Sequence, residues 1–554
     1  NYQPVYGTFP IFLAKAVSLA LLHKDGYDTT FLAGRVLSAL FDLATIWITY
    51  LLARRFGRRG TALCAASLIA FCPLGIQLSH FWGSDSFLTT FSALALLGSV
   101  RIARGRVGWR SLAGTGAAIG LAAACKVTGL ALFGPAGFAL LASALFTESG
   151  RRQKARALLI AVGRGLVVLA AAFALVRVTF PYGFAGFFRL DPRWVAALKE
   201  LSNLTRGYGF PPQVQWAGRT PLFPFRNLAL WGAGIFFGVP AVLALVWAPF
   251  RAWKQRDDGL FLLWLHALIV FGYHATASTK NIRYFYPAYP ALAVLAAAML
   301  AAFADRERAG GAARRIARAL PAIAVAGTFL FGLAFSSIYR RPVSRAVASK
   351  WMYENIPAPA RVANEDWDDG LPFPDPVYEV KDYAGPVLHM YNPDSRTKVE
   401  ELVSTLQGSD WIAITSNRAY GSVTRVPDVF PMTREYYRLL FSGRLGFVKA
   451  ADFTSYPTLG AIRIPDDSAE ETFTVYDHPR VLLFKRSKDF SPERVRQMLL
   501  AALPAANPPV MDEWARWPRA RRRVADPIVP DRASASFTRT GPAKPAGGGL
   551  PGSW

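Results

Sequence analysis

Apolar residues come in long runs in the N-terminal part of the chain and in short groups after it. Up to about Ile338 the runs alternate with short arginine-rich stretches, whereas from Tyr339 onward Asp, Glu, Pro and Tyr break them every few residues. A run of roughly 20 residues crosses a bilayer as a helix, because each residue adds about 1.5 Å. Crossings are therefore predicted at Phe31–Ala53, Thr61–Leu78, Ser86–Ile102, Ser111–Ala124, Val127–Phe146 and Ala157–Val176. After a long polar interval come Asn227–Phe250, Leu260–Ala275, Ile282–Phe303 and Ala319–Phe335. Gly7–Leu22 is also apolar and is expected to lie at the membrane interface.

The second part reads as a domain folded in water. Short strands are predicted at Ala360–Asn364, Val387–Met390, Trp411–Thr415, Ala461–Ile464 and Val481–Lys485. Helices are predicted at Ser344–Glu354, Lys398–Leu406, Thr433–Phe441 and Pro492–Ala502. This alternation predicts a small α/β domain with a partly parallel sheet. The fold class is thus an α-helical polytopic membrane protein with a C-terminal extracytoplasmic α/β domain. Its parts are a transmembrane domain over 1–340, the α/β domain over 341–489, and a helix with a Pro/Gly/Arg-rich flexible tail over 490–554.

Charge adds orientation. The formal net charge of +26 suits nucleic acid in general, but here many arginines stand between apolar runs, as Arg54, Arg55, Arg58 and Arg59 do. Arginine-rich loops mark the cytoplasmic side. Placing loops 54–60, 101–110, 147–156, 251–259 and 304–318 inside lets all ten crossings alternate without contradiction and leaves the C-terminal domain outside. The partner classes are then membrane lipid and external substrates, not nucleic acid. Cys64, Cys72 and Cys125 stand in apolar surroundings without metal-ligand spacing and read as packing residues. No nucleotide-binding glycine loop, HExxH, CxxC or GxSxG occurs.

Candidate chemistry gathers in the segments assigned to the outer face. Ser79-His80-Phe81-Trp82-Gly83-Ser84-Asp85 places a carboxylate in the first turn of a membrane helix, where the helix dipole favours it; the same position also suits a helix cap. Lys126 stands between two apolar runs, where an ammonium needs a partner. Lys280 and Arg283 lie at the start of a helix, where cations gain nothing from the dipole, so phosphate or pyrophosphate binding accounts for them better. The interval 177–226, with Gln213 and Trp216, is expected to fold over the outer surface and line a substrate cavity with His80 and Tyr284. Asp368-Asp369 and Asp466-Asp467 read mainly as solvated loop charge.

Several of these segments together resemble a family. Tyr6-Gly7-Thr8-Phe9-Pro10, Gly34-Arg35, Ser38-Ala39-Leu40 and Arg54-Arg55-Phe56-Gly57-Arg58-Arg59 resemble the lipid-carrier-dependent glycosyltransferases. Ser79 to Asp85, Lys126 with Gly129, and Lys280 to Pro290 continue the likeness. These are GT-C fold enzymes of glycosyltransferase family 39, grouped with protein O-mannosyltransferases and aminoarabinose transferases. Trp351 to Pro357 and Glu470 to Pro479 look like the extracytoplasmic tails of bacterial members. The resemblance implies a polyprenyl-phosphate-linked sugar as donor, transfer with inversion to a hydroxyl or amine of a glycan, lipid or protein acceptor, and residence in the bacterial cytoplasmic (inner) membrane. It puts Asp85 at the family's second external acidic position, Lys126, Lys280 and Arg283 near the carrier phosphate, and Tyr6 and Thr8 beside the donor head group. No metal is specified, and a protein partner has room at the C-terminal domain or tail. The family's first helix and main acidic loop are expected before Asn1, since Asp25 and Asp28 follow the Tyr6-Gly7 segment. The rival reading is a membrane scaffold or accessory subunit that keeps the fold without catalysis.

Overall fold

The computed structural model describes residues 6–145, 151–208, 210–305, 311–377 and 380–531. The start at Asn1, parts of the arginine-rich loops 147–156 and 304–318, and the tail from Gly541 to Trp554 lie outside the described residues. Two compact units are present, one built from Asn1–Ser202 and Pro221–Leu333, the other from Asn203–Thr220 and Ala334–Trp554.

The first unit is helical, and prolines and glycines set where its helices break. Its first part runs α1 (Phe9–Leu22), α2 (Tyr27–Ala53), α3 (Arg59–Ala70), α4 (Pro73–His80), α5 (Ser84–Ala103) and α6 (Trp109–Cys125). The run Thr61–Leu78, expected as one crossing, is the pair α3 and α4 bent by 53°. Pro73 starts α4 and has no N–H with which to continue α3. α6 has 17 residues, roughly 25 Å of helix, and is short for a full crossing. α7 (Phe133–Leu145) follows a 3-10 turn over Val127–Leu132, and α8 (Arg151–Thr179) is the longest helix here at 29 residues.

The expected crossing Asn227–Phe250 is also broken. After α9 (Pro192–Arg206), α10 (Phe223–Asn227) passes through a wide π turn to Gly234, whose φ of +74° is open to glycine, before α11 (Ile235–Gln255) starts. α12 (Asp258–Thr276), a 3-10 turn over Ile282–Ala288, α13 (Tyr289–Ala304) and α14 (Gly311–Ser336) complete the series. Among the described residues eight helices are long and apolar enough to cross a membrane, or nine if the bent pair is one span. Of the ten expected crossings, Ser111–Ala124 is α6, which at 17 residues falls just below that length. Gly7–Leu22 is α1, a 14-residue apolar helix.

The second unit holds the sheet. Its elements are α15 (Ser344–Asn355), β1 (Val362–Glu365), β2 (Ala384–Leu388), α16 (Arg396–Gln407), β3 (Trp411–Ile414), α17 (Pro431–Phe441) and β4 (Phe447–Phe453). A small hairpin of β5 (Thr458–Leu459) and β6 (Ile462–Arg463) follows, then α18 (Glu471–Thr474), β7 (Val481–Arg486), α19 (Pro492–Ala501) and α20 (Met511–Arg516). The main sheet has the order β2-β1-β3-β7-β4, with β1 parallel to β2 and β3, and β7 antiparallel to β3 and β4. Alternate residues of each central strand enter different cores. Ile412, Ile414, Leu482 and Phe484 pack with residues of α16, α17 and α19, while Trp411, Ala413, Val481 and Leu483 pack with residues of α15. Burial on both faces is why β3 and β7 read as unbroken apolar runs.

Two of the expected solvated carboxylates have side chains largely covered by the fold instead. Asp368 lies between the Arg345 guanidinium and the Ser416 hydroxyl, and Asp466 accepts from His478 Nε2 at 2.8 Å. Each acidic pair has a member bound to a partner far along the chain, which a loop reading does not anticipate. Asp369 remains exposed.

Glu365, at the end of β1, is buried and accepts a 2.6 Å hydrogen bond from Tyr437. Burial pushes its carboxyl from 4.5 up to about 8. The folded state therefore keeps a proton that the unfolded chain has lost, so stability is full below about 4.5 and declines as pH rises to about 8. Glu365→Gln is expected to remove this slope, seen as a melting temperature that varies less between those pH values than the parent's.

Candidate active site

Three breaks in the helical pattern bring the charged residues together. Asp85 occupies the first turn of α5 after Gly83, and it is buried. Lys126 is where α6 stops and the backbone turns extended, with φ −160° and ψ 136°. Arg283 and Tyr284 lie in the 3-10 turn before α13, and the Asn281 side chain accepts from the Arg283 N–H at 3.2 Å.

Lys126 Nζ is 3.4 Å from Asp85 Oδ1, and Arg283 Nε is 3.8 Å from Asp85 Oδ2. The Lys126 ammonium also lies 3.8 Å from the centre of the Tyr284 ring and 5.6 Å from that of Tyr6. Aromatic faces attract a desolvated cation, so Lys126 is held by a carboxylate and two rings. His274, at the end of α12, is buried and packs 5.4 Å from the Tyr284 ring. One carboxylate thus faces two cations. Cations gathered in this way can also bind an anion.

Tyr6 reaches Lys126 through a backbone contact. The Gly7 N–H donates to the Cys125 carbonyl at 3.2 Å. A Cβ on Gly7 would stand 1.8 Å from the Ala124 carbonyl oxygen, so only glycine lets the segment preceding α1 lie this close to the end of α6.

Below Asp85 lies a carboxylate that the sequence pattern did not single out. Asp42 is buried in the middle of α2, accepting from Ser86 Oγ at 2.8 Å and from the Tyr286 hydroxyl at 2.9 Å. Ser86 adjoins Asp85, and Tyr286 shares the turn that carries Arg283 and Tyr284. Asp42 thus ties the element bearing the carboxylate to the element bearing the cation. An ionisable residue inside a membrane helix is itself a functional signal, and it was available from the sequence. Tyr286→Phe removes one of these bonds and is expected to cost about 1–3 kcal/mol, read as a lower melting temperature in detergent.

The other residues singled out from the sequence have separate surroundings. The Thr8 hydroxyl donates to the Thr179 carbonyl at 3.2 Å, and the Lys280 ammonium donates to the Ala277 carbonyl. His80 ends α4, with Nδ1 at 2.7 Å from the Ile76 carbonyl, and its own carbonyl accepts from Arg35 Nε at 2.9 Å. Gln213 and Trp216 are buried in the second unit, while Tyr6, Thr8, His80 and Tyr284 belong to the first. Among the described residues no three His, Cys, Asp or Glu side chains form a group that could hold a metal ion.

Residues 17–176 match the family described as dolichyl-phosphate-mannose-protein mannosyltransferase. No curated protein matches the chain. Among solved structures, the Archaeoglobus fulgidus oligosaccharyltransferase in its apo form is similar at 14% identity over 83% of this chain and 67% of that one, with a TM-score of 0.49. ArnT from Cupriavidus metallidurans in the apo state is similar at 15% identity over 88% of this chain and 89% of that one, with a TM-score of 0.42. The same protein bound to undecaprenyl phosphate gives the same values. Likeness at this level fixes no chemistry for this chain.

Proposed function

We propose that this multi-pass membrane protein, matched over residues 17–176 by the dolichyl-phosphate-mannose-protein mannosyltransferase family, transfers a sugar from a polyprenyl-phosphate donor to a hydroxyl or amine acceptor. The observation that carries the reading is the convergence of two cations, Lys126 and Arg283, on the buried carboxylate of Asp85. We assign the phosphate of the lipid carrier to these two cations.

The chemistry follows from these groups. The acceptor oxygen or nitrogen attacks the anomeric carbon, and the bond from that carbon to the phosphate oxygen breaks with its electron pair on the phosphate. Lys126 and Arg283 offset the charge that grows on the departing polyprenyl phosphate. As they turn toward it, the Asp85 carboxylate is released to take the acceptor's proton. Attack opposite the leaving group inverts the anomeric configuration. Asp42 holds the two halves of the site in register through Ser86 and Tyr286. We assign the Asp85 end of α5 to the extracytoplasmic side of a bacterial cytoplasmic membrane, and the arginine-rich loops support that orientation.

The test is transfer by the full chain in lipid nanodiscs, offered hexosyl and pentosyl polyprenyl phosphates with hydroxyl and amine acceptors. Release of polyprenyl phosphate with an inverted glycoside product is expected. Retained anomeric configuration, or no release from any donor, sinks the reading.

A further inference from the structure

The sheet of the second unit reverses its winding at β1. β2 pairs with one side of β1 and β3 with the other, all three parallel. In open α/β sheets such a reversal opens a crevice beyond the carboxyl ends of the strands, and ligands bind there. The segments that leave β1 and β3 at this point are residues 366–369 and 415–418.

A polar frame fixes both segments. The Arg345 guanidinium joins Asp368 and Asp369, and its Nε donates to the Thr415 carbonyl at 3.2 Å. Arg418 donates from Nε to Glu471 at 2.6 Å and from Nη1 to the Trp367 carbonyl at 2.5 Å. Glu471 is held in turn by Gln215 at 2.8 Å. Trp367 is fixed at φ +64°, a conformation that side-chain-bearing residues rarely adopt and that tends to mark functional sites.

What the frame presents is aromatic. Trp367 is 47% exposed, Tyr476 is 46% exposed with the Arg418 guanidinium 5.9 Å from its ring, and Phe210 is 43% exposed with its ring 5.3 Å from that of Trp367. Beside Trp367 in the chain, the Asp369 carboxylate is exposed, and exposed His389 lies 3.4 Å from Asp366. The site therefore offers flat apolar rings together with hydrogen-bond acceptors and donors. A pyranose has the matching surface, an apolar C–H face and a rim of hydroxyls that both donate and accept. Anionic ligands are opposed by Asp366 and Asp369, and an apolar protein partner would need a patch less interrupted by charge.

We propose that this crevice binds a neutral saccharide, which stacks on Trp367 and sets its hydroxyls against Arg418, Asp369 and His389. The sugar-transfer reading supplies its purpose, that of holding a glycan acceptor, but the site does not depend on Asp85. The test is calorimetric titration of the full chain in nanodiscs with mannotriose, chitotriose and maltotriose, accompanied by oxidative footprinting of Trp367. Saturable binding of at least one trisaccharide is expected, with protection of Trp367 from oxidation. Trp367→Gly removes the ring while suiting the positive φ, so the variant should melt no lower than the parent and bind at least tenfold more weakly. No binding of any trisaccharide, unchanged affinity in Trp367→Gly, or an unprotected indole would overturn the proposal. Asp85→Asn should retain the saccharide affinity. Loss of transfer without loss of binding, or the reverse, therefore shows which of the two assignments has failed.

Discussion

Replacing Lys126 with methionine is expected to weaken binding of a polyprenyl phosphate by roughly two orders of magnitude, equivalent to about 3 kcal/mol. The side chain nearly keeps its volume and loses its charge. Lys126 is the closer of the two cations to Asp85, at 3.4 Å against 3.8 Å. Asp85 then still has the Arg283 guanidinium at 3.8 Å, so the carboxylate stays paired and the variant should lose only about 1–3 kcal/mol of stability. A small drop in melting temperature beside a roughly hundredfold weaker affinity separates loss of a phosphate contact from damage to the fold. Titration with undecaprenyl phosphate in nanodiscs measures the affinity; an unchanged value in Lys126→Met would move the carrier phosphate away from this cluster.

Asp85→Asn should slow sugar transfer by about 10²- to 10⁴-fold, the usual contribution of a positioned base. Asparagine keeps the size and can still accept a hydrogen bond, but it cannot take the acceptor's proton. Affinity for the polyprenyl phosphate should hold or increase, because Lys126 and Arg283 are no longer shared with a carboxylate. A single-turnover measurement at saturating donor reads the chemical step free of binding. A rate within threefold of the parent would mean that another group accepts the proton.

The sequence showed the elements better than their meeting points. The membrane helices announced themselves as apolar runs, and β1, β2, β3 and β7 as short apolar groups. β4 was missed because it is an edge strand, paired only with β7, and its Lys449 and Asp452 break the pattern that marks a strand. Asp85, Lys126 and Arg283 were legible because each charge stands at a helix end beside apolar sequence. Asp42 needed its partners to be understood, and these lie 44 and 244 residues away. The unit to which Gln213 and Trp216 belong was hidden for a related reason. They fall between two segments of the first unit in the chain, yet neighbouring Gln215 bonds to Glu471, 256 residues on, within the second.

The contact at Gly7 makes the site unevenly tolerant of change. A polar group can be altered by degrees, since Asp to Asn or Lys to Met alters charge while keeping volume. At position 7 there is no intermediate, because the smallest possible addition, one methyl group, already meets the Ala124 carbonyl oxygen at 1.8 Å. The approach of this segment to the end of α6 is consequently set by backbone thickness alone. An adaptation that enlarges the space around Lys126 can come from trimming Tyr6 or Tyr284, whereas the contact made by Gly7 can be neither thinned nor thickened.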